Sequence, residues 1–138
     1  EAAAFLRRAG ADTAEVKKLF QNDLEGTIAK YAIIQNAKLY REKIAIAVVD
    51  HTVGRIVAAQ AADELLNIIG IDTSFVLYPD GERVIISARS MGDTNVQVIL
   101  EKLGGGGNAA AAGGQISGKS LSQVATELSH AIDQYLEG

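Results

Sequence analysis

Four consecutive glycines at positions 104–107 are the part of the sequence best suited to binding a ligand. One glycine after Leu103 would be enough to end a helix, and each further glycine costs backbone entropy. Glycines leave backbone N–H groups accessible, and successive N–H groups in such a turn form a concave site for an anion. The alternative is a flexible spacer, and we favour a binding loop because capped elements flank the run in a compact domain. The loop consists of Gly104, Gly105, Gly106 and Gly107.

Arg89 is the second candidate, because it lies where a predicted strand ends and Ser90 begins a loop. On that strand its side chain shares a face with Ile85 and Ser87. A guanidinium at a strand end can bind a phosphate through two parallel N–H donors. An arginine in this position is more often simply solvated, so the sequence around Arg89 leaves both interpretations open.

Residues 113–120 read GGQISGKS and match the pattern of a nucleotide-binding phosphate loop. Such a loop follows an apolar strand, opens the first helix of a long α/β domain and precedes a strand with a metal-binding Asp. Here an Ala-rich stretch precedes the pattern, one helix follows it, and the apolar run that ends in Asp50 lies upstream. We therefore interpret residues 118–120 as a turn followed by a helix N-cap.

Metal binding and acid–base catalysis have little support in the sequence. The two histidines, His51 and His130, are far apart, there is no cysteine, and the acidic residues are scattered singly. Metal-ligand spacing is absent, and no Ser/His/acid arrangement can be assembled. We expect this chain to bind no metal or other cofactor itself.

The composition restricts the class of partner. A chain of 138 residues is enough for one domain with a real core. The net charge of −4 argues against binding a long nucleic acid, and three Phe, four Tyr and no Trp supply little base stacking. A small anion in one local pocket is compatible with this charge. The lack of cysteine and of any apolar run near the roughly 18 residues of a membrane helix favours a cytoplasmic domain.

The first 40 residues are predicted to form a helical linker arm. Residues 2–8 have a helical pattern, a second helix is expected at Asp12–Phe20, and another begins at Asn22 or Asp23. Because a helical pattern follows directly on Glu1, we expect the chain to be part of a longer protein.

Residues 41–138 are predicted to form an α/β domain, with a mixed β-sheet flanked by helices. Alternation and helical spacing give the order β, α, β, β, α, β, α. The helix from Arg55 is expected to end at Gly70 and to bury one apolar face, which consists of Ile56, Ala59, Ala62, Leu65, Leu66 and Ile69. The predicted strands are Lys43–Asp50, Thr73–Tyr78, Arg83–Arg89 and a short one around Gln115–Ser117, with a turn at Pro79–Gly81; the other helices begin at Asp93 or Thr94 and at Ser120.

Three stretches resemble the C-terminal, DHH-associated substrate-binding domain of DHH-family phosphoesterases. They are FLRRAGADT (5–13), AAQAADELLNIIGIDTSFV (58–76) and ISARSMGDTNVQVILEKLGGGGN (86–108). The most specific part is a strand ending in Ser-x-Arg-Ser, then Gly, a short helix and four glycines. The resemblance covers nearly the whole chain and is greatest to the bacterial cyclic-di-AMP phosphodiesterase branch.

This resemblance implies a division of labour between two domains. Two divalent metal ions, typically manganese, would be held by Asp and His residues of an N-terminal DHH domain that this chain lacks, so the chain alone would be inactive. Its partners would be a nucleotide or dinucleotide substrate, the missing DHH domain and, as a further expectation, a second copy in a homodimer. Full-length members of the branch carry membrane helices, which implies a membrane-anchored parent protein. The implied substrate-binding residues are Arg89, Ser90, Gly104, Gly105, Gly106, Gly107 and Asn108.

Asn108 departs from the family pattern, in which His follows the glycines. Asn keeps a hydrogen-bond donor and acceptor but loses the cation that a change of pH can switch. Two other functions stay open. One is a phosphatase of the same family that acts on short oligoribonucleotides or phosphoadenosine phosphate, and the other is an interaction module with a structural glycine loop.

Overall fold

The computed structural model describes residues 13–138, and the predictions for residues 2–8 and Asp12 lie outside this range. Among the described residues, six strands form one mixed sheet with helices on both faces, which confirms the predicted α/β fold. The helices are α1 (Thr13–Gln35), α2 (Arg55–Leu65), α3 (Val96–Glu101) and α4 (Leu121–Glu137). The strands are β1 (Ala37–Tyr40), β2 (Ile44–Val48), β3 (Thr73–Asp80), β4 (Arg83–Ser90), β5 (Gly106–Gly107) and β6 (Ala111–Ser117).

The strand order is β1-β2-β3-β4-β6-β5. Only β2 and β3 are parallel among the neighbouring strands of this described sheet, because α2 connects them as a crossover. The remaining neighbours pair antiparallel. Strand β6 therefore lies between β4 and the glycine strand β5, although β5 precedes it in sequence.

Helix α1 is one continuous helix, where the sequence predicted a break at Asn22 or Asp23. That prediction was wrong: both residues are exposed inside the helix, where each costs less than about 1 kcal/mol relative to alanine. The last third of α1 packs on the domain, through buried Ile33 and through Lys30, whose Nζ lies 3.6 Å from the Glu64 carboxylate.

Strand β1 corrects the prediction of helix as far as residue 40. Ala37–Tyr40 pairs with β2 in a hairpin whose turn is formed by residues 41–43, and two of these, Arg41 and Glu42, have positive φ values of 56° and 73°. Such turns normally contain Asn or Gly. The sequence therefore lacks the usual signal for this hairpin.

Contacts with α4 hold the β1–β2 hairpin in place. The Tyr40 hydroxyl donates to Asp133 Oδ1 at 2.6 Å, and Arg41 Nη2 lies 3.1 Å from the same oxygen and 2.8 Å from Glu137 Oε2. The hydrogen bond from Tyr40 lowers the pKa of the Asp133 carboxyl, and it also raises the pKa of Tyr40. These contacts attach the end of α4 to the edge of the sheet.

Helix α2 ends at Leu65, earlier than predicted, although Gly70 does have the expected positive φ of 94°. Ile56 and Ile69 are exposed by 73% and 101%, so the prediction that they are buried was wrong. The helix instead turns small side chains toward the sheet, which allows it to pack closely. Its buried residues are Ala58, Ala61, Ala62 and Leu65, and the prediction is confirmed at Ala62 and Leu65.

The β3–β4 hairpin is confirmed, with a different turn from the predicted one. Pro79 and Asp80 belong to β3, and Asp80 pairs with Arg83, so the turn consists of Gly81 and Glu82. The positive φ of 63° at Gly81 explains the glycine.

The caps of the last two helices differ in how well the sequence predicted them. Ser120 and Gln123 form the predicted capping box of α4. Helix α3 begins one residue after Asn95, whose side chain accepts from the N–H groups of Gln97 and Val98. The predicted caps Asp93 and Thr94 were therefore wrong by one or two residues.

The two faces of β4 have different surroundings. Val84, Ile86 and Ala88 face α3 and α4 in the larger core; we call this the covered face. The alternate residues, including Ser87 and Arg89, point to the opposite side, where α2 lies over β3 and part of β4. We call that side the open face, because the β6 residues paired with Ser87 and Arg89 belong to neither buried core among the described residues.

Candidate functional site

A cleft of about 430 Å³ lies on the open face. Strands β4 and β6 form its floor, the start of α2 forms one wall at Arg55, and β5 forms the other wall at Gly106 and Gly107. Arg89 also lines it. The structure therefore brings Arg89 and the end of the glycine run to one cleft, because β6 pairs with both β4 and β5.

Arg89 is held in one orientation by three contacts. Its Nε donates to Asp63 Oδ1 at 3.1 Å, and its Nη1 donates to the Ala88 carbonyl at 2.8 Å and lies 3.5 Å from Ser87 Oγ. Its side chain is 22% exposed, so it is neither buried nor freely solvated. Nη2 has no hydrogen-bond partner among residues 13–138, which leaves N–H donors for a ligand.

The structural reason for glycine differs among the four positions of the run. Gly104 has a positive φ of 84° at the end of α3. A Cβ on Gly105 would lie 2.4 Å from the Gly113 carbonyl oxygen, and a Cβ on Gly107 would lie 2.4 Å from the Ala111 carbonyl oxygen. These two glycines allow β5 to approach β6 closely. They are required by the fold whether or not a ligand binds.

Gly106 is the exception within the run. A Cβ there would meet no atom within 4 Å, its φ lies outside the positive region, and the residue lines the cleft. The packing of the described residues gives no reason for glycine at this position. A ligand that approaches the backbone would give one.

Ser90 and Asn108 are adjacent to the cleft but do not line it. The Ser90 side chain lies on the covered face, 7% exposed, and its Oγ accepts from the Gly92 N–H at 3.4 Å. Asn108 Oδ1 accepts from the N–H groups of Ala110 and Ala111, both at 2.9 Å. Asn108 therefore organises the turn between β5 and β6, while the structure places Ser90, Gly104 and Gly105 away from the cleft lining.

Two further cleft residues, Arg55 and Gln115, were missed as site residues in the sequence. Arg55 adds a second positive charge at the first residue of α2, and Gln115 pairs with Ile85 across β4 and β6. Gln115 also accepts a hydrogen bond of 2.6 Å from Arg83. The signal for Gln115 would have been the register of β6, which cannot be derived from a strand predicted to be only three residues long.

Other candidate chemistry is located away from this cleft. The phosphate-loop pattern is not a loop, because Gly113–Ser117 lies within β6, Gly118 has a φ of 77°, and Ser120 caps α4 as interpreted from the sequence. Within residues 13–138, no group of three or more His, Cys, Asp or Glu side chains could hold a metal ion. None of the described helices is long and apolar enough to span a membrane.

Comparison with known proteins places these features in a family. A model of the DHHA1 domain matches residues 41–138. The chain is 42% identical over 143 residues to the cyclic-di-AMP phosphodiesterase GdpP of Bacillus subtilis, and 38% identical over 141 residues to the cyclic-di-AMP phosphodiesterase PdeA of Listeria monocytogenes. In both matches the whole chain is covered, but it spans only 22% of the relative's length.

A solved structure has a similar fold. An exopolyphosphatase-related protein from Bacteroides fragilis matches with a TM-score of 0.70 and 21% identity, over 80% of this chain and 34% of that protein. At this identity the match supports the fold alone.

Proposed function

The chain belongs to the DHHA1 domain family, and from that premise we propose that it is the substrate-binding domain of a phosphodiesterase that hydrolyses cyclic di-AMP or a related dinucleotide. Relatives named for cyclic-di-AMP hydrolysis match the chain along its full length. Since the chain spans about a fifth of these relatives, hydrolysis is proposed for a longer protein, and this chain alone is expected to be inactive.

The meeting of Arg89 and Gly106 at one cleft is the observation that carries this proposal. A dinucleotide presents phosphate oxygens, which a guanidinium binds through paired N–H donors. It also presents planar bases and bulky riboses, which require space next to the β4–β6 floor of the cleft. The lack of a side chain at Gly106 and Gly113 provides that space.

The charge around the cleft fits a small anionic ligand. Arg55 and Arg89 contribute two positive charges to the lining, although the chain as a whole has a net charge of −4. A local pair of cations can hold a phosphodiester, whereas a long nucleic acid would require a broad basic surface. The proposed substrate is therefore a short nucleotide.

The proposed metal ions would be bound outside this chain. Residues 13–138 offer no suitable group of side chains, so these residues do not fit a metal centre. We propose that a DHH domain holds two divalent ions, manganese being the expected metal, and that the present domain binds and orients the substrate phosphate. Orientation of this kind lowers the entropy cost of reaching the reactive geometry.

Helix α1 offers a surface for the catalytic domain. Its apolar residues extend along the helix beyond the part that packs on α2, and isolated domains seldom expose contiguous apolar patches of this kind. We propose that the missing DHH domain covers this surface; a homodimer through α1 is the alternative, which sedimentation of the chain would detect. The exposed side chains are Leu19, Phe20, Leu24, Ile28 and Tyr31.

An NMR titration of the chain with linear diadenylate and with cyclic di-AMP, without metal, tests the proposed function. We expect amide shifts at residues 104–108 and at Arg89, with millimolar affinity for the isolated domain. Arg89→Ala should reduce these shifts by weakening binding at least about tenfold, whereas Lys119→Ala should leave them unchanged, since Lys119 pairs with Glu127 outside the cleft. A loop that stays silent at millimolar ligand would favour the interaction module with a structural glycine loop.

The same titration with phosphoadenosine phosphate and short oligoribonucleotides separates the two proposals within the family. Tighter binding of the cyclic or linear dinucleotide supports the cyclic-di-AMP assignment. Tighter binding of phosphoadenosine phosphate would replace it with the phosphatase.

A further inference from the structure

We propose that Asp63, on the exposed side of α2, is a positioning residue that orients Arg89 toward the cleft. The inference rests on the proposed function, because it assumes that Arg89 binds a substrate phosphate. It adds a residue from a different element of the fold, which does not itself line the cleft.

The contacts of Arg89 show which of its N–H groups donate hydrogen bonds to other residues of the chain. Asp63 accepts from Nε at 3.1 Å. Nη1 donates to the carbonyl of the preceding residue, Ala88, at 2.8 Å. We assign this contact to the Nη1 N–H that points back along the side chain, because the acceptor belongs to the preceding residue of the same strand.

The remaining donors form the terminal edge of the guanidinium, where the one other contact among residues 13–138 is the long one of 3.5 Å between Nη1 and Ser87 Oγ. There, one N–H of Nη1 and one N–H of Nη2 run parallel, and Nη2 has no partner among residues 13–138. Two parallel N–H groups match the two oxygens of a phosphodiester. Asp63 and Ala88 together therefore occupy the other sides of the guanidinium and leave the edge that a phosphate requires.

Asp63 contributes to binding in two opposite ways. It removes the freedom of a long side chain before the ligand arrives, which favours binding. Its negative charge also repels an anionic ligand, but the carboxylate is separated from that ligand by the guanidinium and is 64% exposed, so solvent and salt screen the repulsion. We expect orientation to outweigh repulsion.

Stability alone does not explain the Asp63–Arg89 pair. Partly exposed ion pairs contribute little to the free energy of unfolding, and Asp63 is not among the buried residues of α2, which are Ala58, Ala61, Ala62 and Leu65. A purely structural role would leave ligand affinity unchanged when Asp63 is replaced. This difference makes the proposal testable.

The test is a double-mutant cycle on the chain, with the dissociation constant of linear diadenylate measured by NMR titration. Asp63→Ala should weaken binding about three- to tenfold, and Asp63→Asn, which keeps an acceptor oxygen for Nε, should weaken it less. Arg89→Ala should weaken binding at least about tenfold. Adding Asp63→Ala to Arg89→Ala should cause no further loss, because Asp63 acts through Arg89.

Two controls isolate the orientation of Arg89. Glu64→Ala removes a neighbouring negative charge that pairs with Lys30 instead, and it should leave affinity unchanged. The Nε–H signal of Arg89 in the ligand-free chain should move toward that of free arginine in Asp63→Ala but not in Glu64→Ala.

The outcomes distinguish the positioning role of Asp63 from the phosphate contact proposed for Arg89. Unchanged or tighter binding by Asp63→Ala, together with weaker binding by Arg89→Ala, would reject positioning and retain the proposed function. A further loss in the double variant would also overturn it, since Asp63 would then act independently of Arg89. Unchanged binding by Arg89→Ala would reject the phosphate contact that the proposed function assigns to Arg89.

Discussion

Strand β4 presents two faces of opposite character within eight residues. Ile86 and Ala88 on the covered face are 2% and 0% exposed and pack under α3 and α4. Ser87 and Arg89 on the open face line a cleft. Neighbours in sequence therefore differ in role, because successive side chains on a strand point to opposite sides.

The residues of the covered face stabilise the fold, whereas those of the open face are available to bind a ligand. Full burial of a large aliphatic side chain contributes about 1.5–3 kcal/mol, and the covered face is built from such residues. The open face beyond α2 contains polar, charged and glycine residues that add little hydrophobic stabilisation. Substitutions on the covered face should thus change stability, and substitutions on the open face should change binding.

The largest effect is expected at Ile86. Ile86→Ala should lower the free energy of unfolding by about 2–5 kcal/mol, because it leaves a cavity beneath α3 and α4. Its neighbour Ser87 makes a long contact of 3.5 Å with Arg89, so Ser87→Ala should change stability by less than about 0.5 kcal/mol. Urea denaturation of both variants measures the difference, and equal losses would break the distinction between the faces.

The glycine run offers the same comparison within one loop. Gly107→Ala should lower the free energy of unfolding by about 3 kcal/mol, because its φ of 149° and the nearby Ala111 carbonyl exclude a Cβ. Gly106→Ala should leave stability unchanged or raise it by up to about 1 kcal/mol. Thermal unfolding of the two variants is the measurement.

Gly106→Ala, which should have little effect on stability, should have a clear effect on ligand binding. Because Gly106 lines the cleft, we expect a methyl group at this position to weaken dinucleotide binding at least about fivefold, equivalent to roughly 1 kcal/mol of steric conflict. If Gly106→Ala binds as well as the unmodified chain, Gly106 does not contact the ligand.

The sequence predicted the elements whose patterns are local. The alternation in β4 and the Ser120–Gln123 capping box specify their structure within a few residues. Most of β6 was missed, because alanine and glycine at positions 111–114 give neither a hydrophobic nor a β-branched signal. The two glycines sit in close packing, because a Cβ on Gly113 would lie 3.2 Å from the Ile86 carbonyl oxygen and one on Gly114 would lie 3.4 Å from Gly105 Cα.

The site was harder to predict, because it depends on pairing between distant strands. Arg89 and Gly107 were each identified as candidates, but β6 brings them to one cleft by pairing with both β4 and β5. Arg55 and Asp63 join them from α2, a helix whose buried face the sequence predicted correctly at Ala62 and Leu65 and incorrectly at Ile56. Single side chains were thus easier to find than their arrangement.

The smallest effect is expected at the contact between α4 and the β1–β2 hairpin, where Asp133 accepts the hydrogen bond from Tyr40. The hydrogen bond from Tyr40 lowers the pKa of Asp133 below its unfolded value of about 3.9. Asp133 therefore contributes stability that is present above that unfolded value and is lost as the pH falls through the folded-state pKa. The melting temperature of Asp133→Asn should lie below that of the unmodified chain near pH 6, and the gap should close at lower pH.

The control for Asp133 is Asp23→Asn, which removes a carboxylate from the exposed surface of α1. It changes the net charge equally without disturbing the contact of Tyr40. A gap between Asp133→Asn and the unmodified chain that stays constant from pH 6 to pH 3 would contradict the proposed role of the Tyr40 hydrogen bond.

A crystal structure of the chain with linear diadenylate tests the central claim, that the open face binds a phosphodiester, most directly. We predict a phosphate within hydrogen-bond distance of Arg89 Nη1 and Nη2, with the nucleotide beside Gly106. A dinucleotide bound at the turn around Gly118, or a cleft that excludes it while another surface binds it, would contradict the account.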